Sequence, residues 1–172
     1  MEIRLAGTVS DSIVDGPGLR YVVFVQGCPR SCPGCHNPQT HDPLGGYLST
    51  TESLLQEIKS DKLLDGVTFS GGEPFMQPVP LTSMAEEIHK FGLNVIVYTG
   101  YCWEELIEAN RDDWNELIKN VDVVIDGPFR RELRNWKLSF RGSSNQRFID
   151  VKRTLKGGKL VVMDQLILPH LP

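Results

Sequence analysis

Four short runs rich in β-branched residues punctuate the chain: Tyr21 to Val25, Val67 to Ser70, Val95 to Tyr98 and Val121 to Ile125. Each has the length of a strand and little polar alternation, which predicts strands buried on both faces. Between them the apolar residues recur at helical spacing. Ser49 and Glu52 predict a capping box ahead of Leu54, Leu55 and Ile58, and Leu81, Met84, Ala85, Ile88 and Phe91 form a stripe that stops at Gly92. Two further helical stretches carry Trp103, Leu106 and Ile107, then Trp114, Leu117 and Ile118. Such stripes, the tryptophans and Met84 included, are read as core packing. Val67, Val95 and Val123 stand 28 residues apart, the rhythm of βαβ units on a parallel sheet.

The unusual loops all follow strands. A cysteine-rich loop comes after the first, Gly71-Gly72-Glu73-Pro74 after the second, Thr99-Gly100 after the third and Asp126-Gly127-Pro128 after the fourth. In parallel α/β sheets and barrels the loops at the carboxyl ends of strands build the active site, so these four are expected to converge. A complete barrel takes about 250 residues; the 172 here predict an incomplete TIM-like barrel of parallel βα units, with an open side wide enough for a protein substrate. The expected organisation is one domain, 1–172.

Composition narrows the function. With 40% hydrophobic and 23% charged residues, the chain can bury a core without disulfides or metal, so a metal site would serve chemistry. A formal net charge of −4 argues against a general nucleic-acid or anionic-membrane binder. No apolar run exceeds about six residues, against the ~18 of a membrane span, and the first residues lack the apolar stretch of a signal peptide. The expected location is the cytoplasm.

Cys28, Cys32 and Cys35 lie within eight residues while Cys102 stands apart. In a reducing compartment such a triplet points to metal or redox work. Zinc would need a fourth ligand from Cys102, His36 or His41. Cys32-Pro33-Gly34-Cys35-His36 spells a haem-attachment motif but leaves Cys28 unexplained, and a thioredoxin-type pair suits poorly a loop broken by Pro29, Pro33 and Pro38. Three thiolates on an iron–sulfur cluster, with one iron open, suit the triplet best.

Cys28-x3-Cys32-x2-Cys35 after one strand and Gly71-Gly72-Glu73-Pro74 after the next resemble the radical S-adenosylmethionine superfamily. Within it, Asp15-Gly16-Pro17-Gly18-Leu19-Arg20, Gln26-Gly27-Cys28, Cys32 to Asn37 and Phe140 to Arg147 resemble the activating proteins of anaerobic (class III) ribonucleoside-triphosphate reductases. Pyruvate formate-lyase activases are similar locally but longer. The resemblance implies a [4Fe-4S] cluster on Cys28, Cys32 and Cys35, its open iron chelated by the amino and carboxylate groups of S-adenosylmethionine. It implies reductive cleavage of that cofactor and a glycyl radical on the reductase as protein substrate, with a flavodoxin or ferredoxin as electron donor. No side chain need act as acid or base, and the chain has neither a nucleophile elbow nor a phosphate loop. Other readings are an activase of another glycyl-radical enzyme, a radical enzyme acting on a metabolite, or a zinc-binding interaction module.

The resemblance also assigns cofactor contacts. Gly71, Gly72 and Glu73 would meet the methionyl amino group, where the bland reading is a tight turn. Gly34, Cys35 and His36 would lie against the adenine, with the His36 ring stacking or merely solvated. Gly34 stands where many superfamily members carry an aromatic residue. Thr99 joins this set, and Asp126 would orient the carboxylate through a cation or simply make a turn. Asp15 to Gly18 also reads as a turn, and Cys102 as a small hydrophobe. The cluster loop is taken as 26–42. Finally, segment 129–147 holds Arg130, Arg131, Arg134, Lys137, Arg141 and Arg147 against Glu132 alone. That contrast with an acidic remainder suggests a docking surface for the reductase or an acidic electron donor; a nucleic-acid groove is the alternative, since Trp136 and Phe140 interleave the charges.

Overall fold

A computed structural model describes residues 1–166 and 168. Among these residues eight strands form one sheet in the order β3-β1-β2-β4-β5-β6-β7-β8. The four strands expected from the sequence are its centre: β2 (Arg20–Val25), β4 (Gly66–Gly71), β5 (Asn94–Tyr98) and β6 (Val123–Asp126). They pair in parallel. Helix α2 (Pro78–Lys90) links β4 to β5, and α3 (Trp103–Glu108) and α4 (Asp112–Lys119) link β5 to β6. The sheet is open, a partial barrel.

Four strands outside this centre add antiparallel flanks to the expected parallel units. Antiparallel β1 (Glu2–Ser12) joins β2 and carries β3 (Tyr47–Thr50) on its far side, while β7 (Arg147–Asp150) joins β6 and carries β8 (Val162–Met163). These flanking strands are short or half-exposed, so they lack the dense apolar signature of the centre. Helix α1 (Thr51–Ser60) starts one residue later than the expected cap: Thr50, not Ser49, accepts from the Ser53 amide at 3.2 Å. Glu52 instead holds the amino terminus of Met1 at 2.6 Å.

Alternation along the parallel strands separates two faces. Tyr21, Val23, Val25, Val67, Phe69, Val95 and Val97 pack against the helices in the main core. The opposite face carries Ile96, Val123, Ile125 and Phe148, and it ends in Phe24, Ser70 and Tyr98, which line the cavity described below. At its other end lies Arg20, fully buried. Its guanidinium donates to Thr68 Oγ1 (2.6 Å), Asn94 Oδ1 (2.9 Å), the Val67 carbonyl (2.6 Å) and the Pro17 carbonyl (3.3 Å). Thr68 in turn donates to the Asp15 carbonyl at 2.8 Å. The Asp15 to Arg20 motif is therefore an anchored loop, with Arg20 as the peg. Burial pulls the Arg20 pKa down to about 10, still charged at neutral pH.

A second polar node sits between sheet and helices. Asp122 Oδ2 accepts from the Val95 amide (2.8 Å) and lies 2.9 Å from His89 Nε2, and Lys152 Nζ approaches Oδ1 at 2.6 Å. Burial pushes the Asp122 carboxyl up, but these partners outweigh it and hold it below its ordinary 3.8. Its contribution is thus present above that ordinary value and is lost as pH falls through the depressed one. Asp122→Ala is expected to cost about 2–4 kcal/mol at neutral pH, and less at pH 3 than at pH 7 in urea unfolding. An equal loss at both would assign the effect to packing instead.

Candidate active site

The carboxyl ends of the parallel strands open into a cavity of about 760 Å³. Its wall includes the three clustered cysteines, His36, Gly71, Gly72, Thr99 and Gly127, together with Asp15 and Val14 on one side and Arg134, Trp136 and Arg141 on another. All four post-strand loops contribute to its wall or its support.

The cysteine loop is closed by backbone bonds. Gly27 N donates to the Thr40 carbonyl (2.8 Å) and Cys28 N to that of His41 (3.1 Å). Gln26 straddles the closure, its amide donating to Gln39 and Asp42 carbonyls at 3.0 and 2.7 Å. Within the loop a turn brings Cys35 N to Cys32 O at 3.0 Å. Arg30 fastens the loop to α3, pairing with Glu105 at 2.6 Å and lying 4.2 Å above the Tyr101 ring centroid.

All three thiols are free and half-buried. Burial pushes the Cys28 thiol up, against the amides of Arg30 and Ser31, which favour its thiolate. The Asn37 amide donates to Cys35 Sγ at 3.4 Å. Backbone N–H groups aimed at sulfur suit metal-bound thiolates, whose formation releases the thiol protons. Among the described residues, the one set of three potential ligands within 4.8 Å is Cys102, Glu104 and Asp126. Three free thiols on one cavity wall are the donor set that an iron–sulfur cluster with one open iron takes. Cys102 keeps company with Glu104 and Asp126, not with the triplet.

Gly71 and Gly72 press against the backbone of Phe24, Val25 and Gly27, at and just beyond the end of β2. Gly72 N donates to Val25 O and Glu73 N to Gly27 O, each at 2.8 Å. Glu73 turns inward and is 1% exposed. Its carboxylate accepts from Thr99 Oγ1 (2.9 Å), Gly100 N (2.8 Å) and Phe75 N (3.1 Å), tying β4 to β5. Burial raises its pKa to about 7 despite those donors. The Glu73 side chain thus supports the wall and does not form it.

Asp126 departs from the expected role. It is fully buried outside the cavity wall, where it accepts from the Trp103 amide at 2.7 Å and is paired with Arg147. Arg147 also pairs with Glu104 at 2.7 Å, and both carboxylates hold its guanidinium charged. The basic segment is therefore not one docking face: Arg147 is consumed in these pairs, whereas Arg134 and Arg141 line the cavity. Gly34 lies at the outer turn of the cysteine loop, where a Cβ would meet Arg131 and Phe129. His36 sits 4.9 Å from the Phe129 ring centroid, tilted by 48°. Phe24, Tyr98 and Phe129 complete the site without having been singled out from the sequence, and Arg141, read there only as part of a basic docking segment, joins them on the wall.

Comparison with known proteins places this geometry. Residues 14–149 match the family described as a 4Fe-4S single cluster domain. The anaerobic ribonucleoside-triphosphate reductase-activating protein of Salmonella typhi is 34% identical over 142 residues, covering 78% of this chain and 90% of that protein. The pyruvate formate-lyase-activating enzyme of Clostridium pasteurianum is 36% identical over 128 residues, 71% of this chain and 50% of that one. Among solved structures, QueE from Escherichia coli is similar over 58% of this chain and 53% of its own, at 19% identity and a TM-score of 0.48. No helix among the described residues is long and apolar enough to cross a membrane. With a cluster-domain match over most of its length and an activating protein 34% identical that it covers to 90%, the chain belongs to the family of anaerobic ribonucleoside-triphosphate reductase-activating proteins.

Proposed function

We propose that this chain is a cytoplasmic radical S-adenosylmethionine enzyme that installs a glycyl radical on an anaerobic ribonucleoside-triphosphate reductase. The observation that carries the reading is three free thiols and the Gly71-Gly72 backbone lining one cavity at the carboxyl ends of the parallel strands. Cys28, Cys32 and Cys35 would hold a [4Fe-4S] cluster. Such a cluster would supply the electron for reductive cleavage of S-adenosylmethionine, the chemistry by which a glycine of the reductase would lose a hydrogen atom.

The chain's own residues bind and shield. Gly71 and Gly72 bring bare backbone to the methionyl end of the cofactor, Thr99 supports that edge, and His36 with Phe129 offers an aromatic wall to the adenine. The exposed rim at Val14 and Trp136 leaves the cavity accessible to a protein loop, as a glycine donor requires. The reductase is favoured over other glycyl-radical enzymes because the match spans 90% of its activating protein and 50% of the pyruvate formate-lyase one. The electron would come from a small carrier such as flavodoxin or ferredoxin.

Protein purified without oxygen is expected to carry about four irons per chain, and its reduced electron paramagnetic resonance signal should change when S-adenosylmethionine is added. Stoichiometric zinc without iron, even after anaerobic reconstitution, would overturn this function.

A further inference from the structure

The Phe140 to Arg147 segment is folded into a clasp that the proposed chemistry leaves unused. Gln146 Oε1 accepts from the amides of Gly142 (2.8 Å) and Ser143 (3.2 Å), and its Nε2 donates to the Gly127 carbonyl at 3.2 Å. Asn145 Nδ2 donates to the Pro128 carbonyl at 2.8 Å, and the Arg130 amide donates to Ser143 Oγ at 3.1 Å. These bonds fasten the chain entering β7 to the chain leaving β6. With Phe140, Gly142 and Gln146, the clasp presents one charged side chain to the cavity, Arg141.

The guanidinium of Arg141 lies 4.4 Å above the Phe148 ring centroid, and Nη1 donates to the Gln146 carbonyl at 3.0 Å. Its Nε is buried and has no acceptor among the described residues. None of the ion pairs among the described residues includes it. The other arginines on the wall are accounted for: Arg30 pairs with Glu105, and Arg134 is exposed and stacks on Trp136 at 3.7 Å. The one carboxylate among the described lining residues, Asp15, accepts from Ser12. A recessed cation that has, among the described residues, neither an anionic partner nor an acceptor at Nε is costly unless something arrives to meet it.

We infer that Arg141 binds an anionic group of the molecule that fills this cavity. Resting on the reading that this molecule is S-adenosylmethionine, the group is its carboxylate, the single anion the cofactor carries. The clasp then has a purpose: it fixes a donor fork whose position sets how the methionyl end lies.

The test uses the cluster-loaded full chain and two ligands, S-adenosylmethionine and its decarboxylated counterpart, with dissociation constants measured anaerobically by calorimetry. Arg141→Met keeps the length and the contact with Phe148 and removes the charge. It is expected to weaken S-adenosylmethionine by about 10–100-fold and to leave the decarboxylated ligand unchanged. Arg141→Lys should recover part of the loss, because an ammonium restores the charge without the fork; this variant also carries the test if Arg141→Met does not fold. Equal weakening of both ligands, or of neither, would overturn the inference while the functional reading stands. Failure of the unmodified chain to bind S-adenosylmethionine would overturn both.

Discussion

Cys32→Ala is expected to bring reductive cleavage of S-adenosylmethionine down to background. Cys32 lies in the middle of the closed loop, and its carbonyl already holds the turn by accepting from Cys35 N at 3.0 Å. Alanine keeps that backbone bond and removes one of three thiols that have no other partner chemistry. The thiol is half-buried in a loop, so the fold should change little, within about 0.5 kcal/mol as for a surface substitution. Three measurements separate the possibilities: iron content, 5′-deoxyadenosine formed per chain, and the thermal transition. Loss of the first two with the third intact is the expected result. Retained cleavage would sink the proposed ligand set. Cys102→Ala is the control, since Cys102 sits with Glu104 and Asp126, and it should leave all three unchanged.

The second large effect is expected at Gly72. A Cβ there would lie 2.2 Å from the Gly27 carbonyl oxygen and 2.8 Å from its carbon. Backbone cannot rotate aside as a side chain can, so Gly72→Ala must separate the end of β4 from the residue before Cys28. Overpacking of this kind costs about 1–3 kcal/mol. The chemical loss should be larger: displacing a reacting group by about 1 Å can lower rate about 100-fold. Here both the cofactor edge and the first cluster ligand would move. The expected result is a chain that still unfolds cooperatively, a few degrees lower, with cleavage reduced about 100-fold. Wild-type cleavage by Gly72→Ala would show that the two glycines are only a turn.

The Gly71-Gly72 pair marks the boundary between what could be read and what could not. From the sequence it was a turn or a cofactor edge; the structure adds a third fact, close passage of two backbones. Turn chemistry is local, whereas the approach of Gly72 to Gly27 joins residues 45 positions apart in the sequence. Asp126 went the same way. Its place after a strand was legible, but its partner Arg147 lies in another strand, and the pairing takes the carboxylate out of the cavity.

By itself the sequence determined the centre of the sheet, because continuous β-branched runs cannot be left facing water, and the helices between them, because their stripes repeat at 3.6 residues. It determined the cysteine triplet, since ligands supplied within one loop are set by spacing along the chain. The antiparallel flanks, the Arg20 peg, the inward turn of Glu73 and the place of Arg141 on the cavity wall were decided by the tertiary structure alone. Each depends on partners distant in sequence, and short half-exposed strands or single polar side chains carry no periodic signal of where such partners will be.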